Sequence, residues 1–146
     1  MKKASWKHSR VILAVLVTLA APVVAGAGDN GREAILAAYA AEAKASDPSF
    51  SGFSANRGET LFRSVRSGGD ERTPSCTSCH TGDPRAPGRN AKTGRRIDPV
   101  AVSANVRRFT EGEKVEKHFA RDCKSVLGRP CTVLEKGDYI TFLEGQ

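Results

Sequence analysis

The segment from Cys76 to His80 carries two thiols and an imidazole at a fixed spacing. It has the pattern Cys-x-x-Cys-His, which is the attachment signature of c-type haem. Each thiol can form a thioether with a haem vinyl group, and the histidine then lies under the porphyrin as the proximal iron ligand. We therefore predict one covalently attached haem c, with Cys76 and Cys79 as thioether residues and His80 as axial ligand.

Two other chemistries also use paired cysteines. A thioredoxin-like redox pair follows a strand of a βαβ unit, whereas the residues before Cys76 are rich in glycine, serine and proline and predict a loop. A four-cysteine zinc site would need Cys123 and Cys131 as its second pair, and the spacing between them exceeds the usual two to about four residues. Haem attachment is therefore the favoured interpretation.

Cys123 and Cys131 are the two cysteines left over once the haem thioethers are formed. In an oxidising compartment such a pair forms a disulfide. We expect a Cys123–Cys131 disulfide that closes a small loop, because no other intrachain pairing remains.

The second axial position of the iron decides the chemistry. The commonest electron carriers pair the proximal histidine with a methionine, but Met1 is the only methionine and belongs to a predicted export signal. Beyond that signal, the histidines are His80 and His118. Ligation by His118, by Asp122 or by Lys124, and an open distal site, all remain alternatives.

The N-terminal residues predict a signal peptide over residues 1–27. A basic start is followed by an apolar run too short to span a bilayer and by a small-x-small cleavage site that ends at Ala27. We expect residues 28–146 to form one monohaem cytochrome domain in the periplasm. The net charge of +7 is partly that of the signal. The remaining cations are interleaved with acidic residues, which argues against nucleic-acid binding.

Two helices are predicted before the haem motif. The first is an alanine-rich stretch from Glu33 to Lys44, and the second runs from Ala55 to about Val65. In the second helix, Gly58 and Phe62 lie four residues apart on one face. This small-then-aromatic pattern is typical of the crossing between the N-terminal and C-terminal helices of class I cytochromes c.

Two more helices are predicted after the motif. The third is expected to start at Thr110, where Thr110 and Glu113 form a capping box. Its apolar face has the spacing i, i+3, i+4, i+7. The residues at those positions are Val115, His118, Phe119 and Asp122. A histidine and an aspartate therefore lie on the face expected to be buried. The last helix has its own capping box at Thr132 and Glu135.

A basic, proline-containing loop connects the motif to the third helix, from Thr81 to about Val106. Its prolines forbid a continuous helix. Cations pair well with carboxylates, so those of the loop are candidate partners of the haem propionates: Arg85, Arg89, Lys92, Arg95 and Arg96. The fold expected from all these elements is all-α and class I cytochrome c-like, with three to five helices around one covalent haem.

Several segments occur together with the haem motif and the cysteine pair, namely Gly28-Asp29, Gly58 to Phe62, Thr73 to His80, Arg107 to Thr110, Val115 to Lys117 and Arg121 to Thr132. Together they resemble the sphaeroides haem protein family. That resemblance implies a small periplasmic monohaem cytochrome c of class I-like fold that binds O2, NO and similar diatomic gases. It also implies a dihaem cytochrome c and a membrane cytochrome b as electron donors.

In that family an asparagine directly before the first disulfide cysteine is a weak distal ligand that leaves on reduction. This sequence has Asp122 at that position, and His118 replaces the family's aromatic residue one turn earlier. Because the two lie four apart on one helical face, both can approach the distal side. The alternative is a structural role, in which His118 hydrogen-bonds within the core and Asp122 caps the helix or pairs with Arg121 or Arg129. A carboxylate is a hard ligand and favours ferric over ferrous iron.

Two functions follow from these alternatives. In the first, Asp122 caps ferric iron and is released on reduction, which leaves a gas-binding site with His118 as hydrogen-bond donor. In the second, His118 ligates permanently together with His80, and the protein is a simple periplasmic electron carrier. Beyond the haem, no Ser/His/Asp set and no phosphate-binding glycine loop is visible, so a reductase or oxidase activity toward O2 or nitrogen oxides stays an open question.

Overall fold

The computed structural model describes residues 27–146, so the predicted signal peptide lies outside the described residues except for Ala27. The elements are α1 (Ala27–Ser46), α2 (Ala55–Arg63), α3 (Thr77–His80), β1 (Gly88–Arg89), β2 (Arg96–Ile97), α4 (Gly112–Leu127) and α5 (Val133–Glu144). The all-α prediction of three to five helices is confirmed, and a two-residue antiparallel hairpin is added within the basic loop. Among the described residues, no helix is long and apolar enough to cross a membrane.

The crossing of α2 and α5 is the closest helix contact of the fold. A Cβ at Gly58 would lie 2.0 Å from the backbone oxygen of Asp138 and 2.8 Å from the Cβ of Phe142, so only glycine fits. Phe62, four residues on, is fully buried against the rings of Tyr139 and Phe142, with centroids 6.2 Å and 5.6 Å away. The Gly58 and Phe62 pattern therefore does form the predicted helix crossing.

An ion pair between the buried Asp138 and the half-exposed Arg57 fixes the same crossing from the side. The carboxylate of Asp138 is almost entirely buried and accepts hydrogen bonds from the backbone N–H of Ser54 and from the guanidinium of Arg57. The distances are 2.7 Å to the backbone nitrogen and 2.7 and 2.8 Å to the guanidinium. A buried charge that is paired and hydrogen-bonded in this way costs far less than an isolated one.

Helix α1 packs on α5 and holds the loop before α4. Tyr39 and Ala43 are its most deeply buried apolar residues, and the Tyr39 hydroxyl donates to Glu116 of α4. Arg32 is only 3% exposed and donates to the carbonyl oxygens of Val106 and Arg108, at 2.9 and 3.2 Å. The guanidinium therefore ties the chain before α4 to the first helix.

Several predicted helix ends differ from the structure. The first helix is longer than the predicted Glu33 to Lys44, since α1 is Ala27–Ser46. The predicted start of the third helix at Thr110 is wrong, because α4 begins at Gly112 with Glu111 as N-cap and without a side-chain capping bond. Phe109 has a left-handed backbone (φ 60°), and the Thr110 hydroxyl donates to Arg107 O instead. Helix α2 ends at Arg63, before the exposed Val65. The capping box at the start of α5 is confirmed.

Replacing Gly58 by alanine tests the helix crossing. We expect Gly58→Ala to lower the free energy of unfolding by about 1–3 kcal/mol, because the new methyl group overpacks the contact with Asp138 and Phe142. Equilibrium urea unfolding of the haem-loaded protein measures the change. Gly82→Ala is the matched control, since no atom lies within 4 Å of its Cβ position; equal effects of the two variants would contradict the account.

Candidate haem site

A cavity of about 900 Å³ lies between the haem motif and α4. This volume is within the range of ligand and cofactor pockets, which is roughly 300–1,000 Å³. Apolar side chains form much of its lining: Leu61, Phe109, Val115, Phe119, Val126 and Tyr139. It is therefore suited to a large, mostly apolar group.

One side of the cavity is formed by Cys76, Cys79 and His80, which we call the α3 wall. These residues lie on a single helical turn, in which the backbone N–H groups of Cys79 and His80 both donate to Cys76 O. The β1–β2 hairpin packs directly against this turn: a Cβ at Gly88 would lie 2.0 Å from Cys79 O. The sequence spacing alone thus brings two thiols and one imidazole to one wall.

The Cys76 thiol and the His80 imidazole of the α3 wall are uncharged at neutral pH. Both cysteines are free thiols. Burial raises the pKa of Cys76 to about 12, and burial together with the charge of Arg108 lowers the pKa of His80 to about 4. A neutral imidazole is the form that ligates a metal.

The other side is formed by His118, Arg121 and Asp122, which we call the α4 wall. Arg121 Nε lies 2.6 Å from Asp122 Oδ1, and Arg121 Nη2 lies 3.0 Å from Asp122 Oδ2 and 2.8 Å from His118 Nδ1. The side chains of His118 and Asp122 are 47% and 48% exposed and line the cavity, whereas Val115 and Phe119 of the same predicted face are buried. Burial, and then the charge of Arg121, lowers the pKa of His118 below its ordinary value.

Cys123 and Cys131 are joined by a disulfide whose Cα atoms lie 5.5 Å apart. The bond links α4 to the start of α5, directly after Asp122. It also removes two of the four thiols that a zinc site would need. On the other flank, Thr73 Oγ1 lies 2.8 Å from Ser125 Oγ, and the N–H of Asp70 donates to Ser125 O at 2.7 Å. The loop before Cys76 is thereby attached to α4.

Cations surround the cavity, but not all of those expected from the sequence. Lys92, Arg95 and Arg96 line it, and Lys92 is paired with Asp70 at 2.8 Å. Arg85 and Arg89 do not: Arg85 pairs with Asp83, and Arg89 donates to Gly94 O. The predicted role of Arg85 and Arg89 as propionate partners therefore has no support in the structure.

Arg108 is a cavity residue that the sequence does not single out, and Arg121 is expected from the sequence only as an alternative partner of Asp122. The Nε–H of Arg108 is buried at the cavity and has no hydrogen-bond partner within the described part of the chain. Leaving such a donor unpaired is costly. No motif marks either residue, although Arg121 follows His118 by three positions and so shares its helical face.

The residues present fit haem c. Two free thiols and a neutral imidazole lie on one wall, the lining is largely apolar, and an unpaired buried donor of Arg108 accompanies several cations. Haem c needs each of these features: sulfur atoms for its two thioethers, an axial nitrogen, apolar surroundings and partners for its propionate carboxylates.

Comparison with known proteins gives a consistent result. A family model described as a domain of unknown function (DUF1924) matches residues 48–143. Cytochrome c-type protein SHP of Cereibacter sphaeroides is 42% identical over 134 residues, which covers 92% of this chain and 97% of that protein.

Two solved structures share the fold. The structure of oxidized SHP, an oxygen binding cytochrome c, has a TM-score of 0.71 and 41% identity, and covers 79% of this chain and 96% of that one. The solution structure of cytochrome c″ from Methylophilus methylotrophus, whose description concerns haem-ligand detachment, has a TM-score of 0.67 and 31% identity, and covers 81% and 94%. The class I-like helical fold is thus shared with both.

Replacing Arg32 tests how the segment that carries the cavity residue Arg108 is attached to α1. We expect Arg32→Met to lower the free energy of unfolding by about 2–4 kcal/mol, because the carbonyl groups of Val106 and Arg108 lose a charged donor in a buried position. Equilibrium urea unfolding measures it. Arg85→Met, at a side chain that is 63% exposed, should cost less than about 0.5 kcal/mol; similar losses in both variants would contradict the assignment.

Proposed function

Because this chain belongs to the sphaeroides haem protein family of monohaem c-type cytochromes, we propose that Cys76 and Cys79 hold its haem c through thioethers and that His80 is the proximal axial ligand. The haem supplies a redox-active iron with one further axial position for a small ligand. The α3 wall supports this assignment, since it brings both free thiols and a neutral imidazole to one cavity.

We further propose that the protein binds a diatomic gas such as O2 or NO when it is reduced. The observation that carries this proposal is the pairing of both candidate distal groups, Asp122 and His118, with Arg121 on the α4 wall. Asp122 lines the cavity that would hold the haem, and its carboxylate has Arg121 as a partner when it does not bind the iron. The relative SHP is an oxygen binding cytochrome c, which agrees with such a site.

The second candidate function is electron transfer with His80 and His118 as permanent ligands. The presence of His118 in the cavity lining favours it. Its contact with Arg121 disfavours it, because Nδ1 accepts from the guanidinium and the ring proton then lies on Nε2, the nitrogen that would have to ligate.

The cellular setting is also a proposal. We infer that residues 28–146 form the mature monohaem domain, released into the periplasm by cleavage near Ala27. Electrons would arrive from other cytochromes, and by family resemblance these are a dihaem cytochrome c and a membrane cytochrome b. The open, cation-lined cavity is compatible with exchange of electrons at an exposed haem edge.

A titration with CO separates the two functions. We expect the reduced wild-type protein to bind CO with a complete shift of its Soret band, and we expect His118→Ala to bind CO as well. Asp122→Ala should keep CO binding and alter only the spectrum of the ferric protein, because the carboxylate acts on the oxidised state. Two results together would establish the electron carrier instead. The reduced wild type would stay low-spin without binding CO, and only the His118→Ala variant would be high-spin.

Covalent attachment has its own test. The pyridine haemochrome of the wild type should have the α band of two saturated vinyl groups, and Cys76→Ala should shift that band to the position for a single thioether. The double variant Cys76→Ala/Cys79→Ala should lose its haem on a denaturing gel. Haem that remains attached in the double variant would overturn the assignment of both cysteines.

A further inference from the structure

We propose that Arg121 is a positioning residue that keeps His118 from ligating the iron and makes it a hydrogen-bond donor to the gas. The same guanidinium holds Asp122 when the carboxylate is off the iron. This inference rests on the proposed function, and it assigns the part that each of the three α4-wall residues plays in that function.

The contacts come from one guanidinium. Arg121 Nε and Nη2 form a fork on the Asp122 carboxylate, at 2.6 and 3.0 Å. Nη2 also lies 2.8 Å from Nδ1 of His118. His118 Nδ1 and Asp122 Oδ2 are 4.0 Å apart, so the arginine, and not a direct hydrogen bond, connects the two groups.

The donor properties of arginine determine which histidine tautomer is present. A guanidinium has N–H donors and no acceptor. Nδ1 of His118 must therefore accept the hydrogen bond with its lone pair, and the ring proton lies on Nε2. One ring nitrogen then has its lone pair engaged, and the other carries a proton. Neither is available to the iron, whereas Nε2–H can donate to a ligand.

Asp122 is held by a two-point, charge-assisted pair with Arg121, although both side chains are about half exposed or more. Charge-assisted, two-point pairs of this kind are shorter and stronger than neutral hydrogen bonds. To bind the oxidised iron, which carries more positive charge, the carboxylate would have to break part of its pair with Arg121. Arg121 thus gives Asp122 a place to bind in the reduced protein, which keeps the distal space open.

Loss of Arg121 should release His118. In Arg121→Gln, Nδ1 loses its charged donor, the ring proton can move to Nδ1, and Nε2 becomes free to ligate. We expect a low-spin component in the reduced variant and CO affinity that is roughly tenfold to a hundredfold weaker than in the wild type. The double variant Arg121→Gln/His118→Ala should return to high-spin spectra and to near wild-type CO affinity.

Lys117→Gln is the matched control. It removes one positive charge from the same helix, at an exposed residue that does not line the cavity. It should leave the spectra and the CO affinity unchanged. If Arg121→Gln behaves like Lys117→Gln while the wild type binds CO, the inference is wrong and the proposed function stands. If the double variant stays weak, His118 is not the competing ligand and the assignment is overturned.

A measurement on the wild type does not depend on any variant folding. Long-range proton–nitrogen NMR correlation of the reduced, CO-bound protein labelled with ¹⁵N-histidine reports which nitrogen of His118 carries the proton. We expect the proton on Nε2. A proton on Nδ1 would contradict the role of Arg121. If the reduced wild type binds no CO, the proposed gas-binding function is wrong, and this inference is wrong with it.

Discussion

The close contact between Gly58 and the backbone of Asp138 is the constraint on which the site depends. It sets how closely α2 and α5 pack where they cross, and the buried Asp138 carboxylate holds the two helices together through its hydrogen bonds with Ser54 and Arg57. Since the crossing carries Tyr139 into the cavity lining, the inner surface of the site is determined far from the haem motif in sequence.

A few specific bonds position the α3 wall and the α4 wall relative to α5. The disulfide between Cys123 and Cys131 joins α4 to α5 immediately after Asp122. Ser125, on the next turn of α4, binds Thr73 in the loop that leads to Cys76. The α3 wall and the α4 wall are therefore held relative to one another by short connections, and the cavity between them does not rely on the long basic loop alone.

Much of this arrangement can be predicted from the sequence because it follows from local rules. The spacing of Gly58 and Phe62 in α2 and the capping box of α5 are local patterns, and both are confirmed, as is the all-α fold that the predicted helices imply. The start of α4 was mispredicted because the left-handed backbone of Phe109 redirects Thr110. The pair between Arg121 and Asp122 is among the alternatives that the sequence leaves open, whereas the contact of the same guanidinium with His118 is not among them.

The central claim is that reduction leaves the distal side free of a protein ligand. A resonance Raman spectrum of the reduced protein, without added gas, tests it most directly, because the marker bands report spin state and coordination number. The account predicts a high-spin, five-coordinate spectrum, with Asp122 and His118 both retained by Arg121. A low-spin, six-coordinate spectrum would contradict it and would indicate an electron carrier with His80 and His118 as permanent ligands.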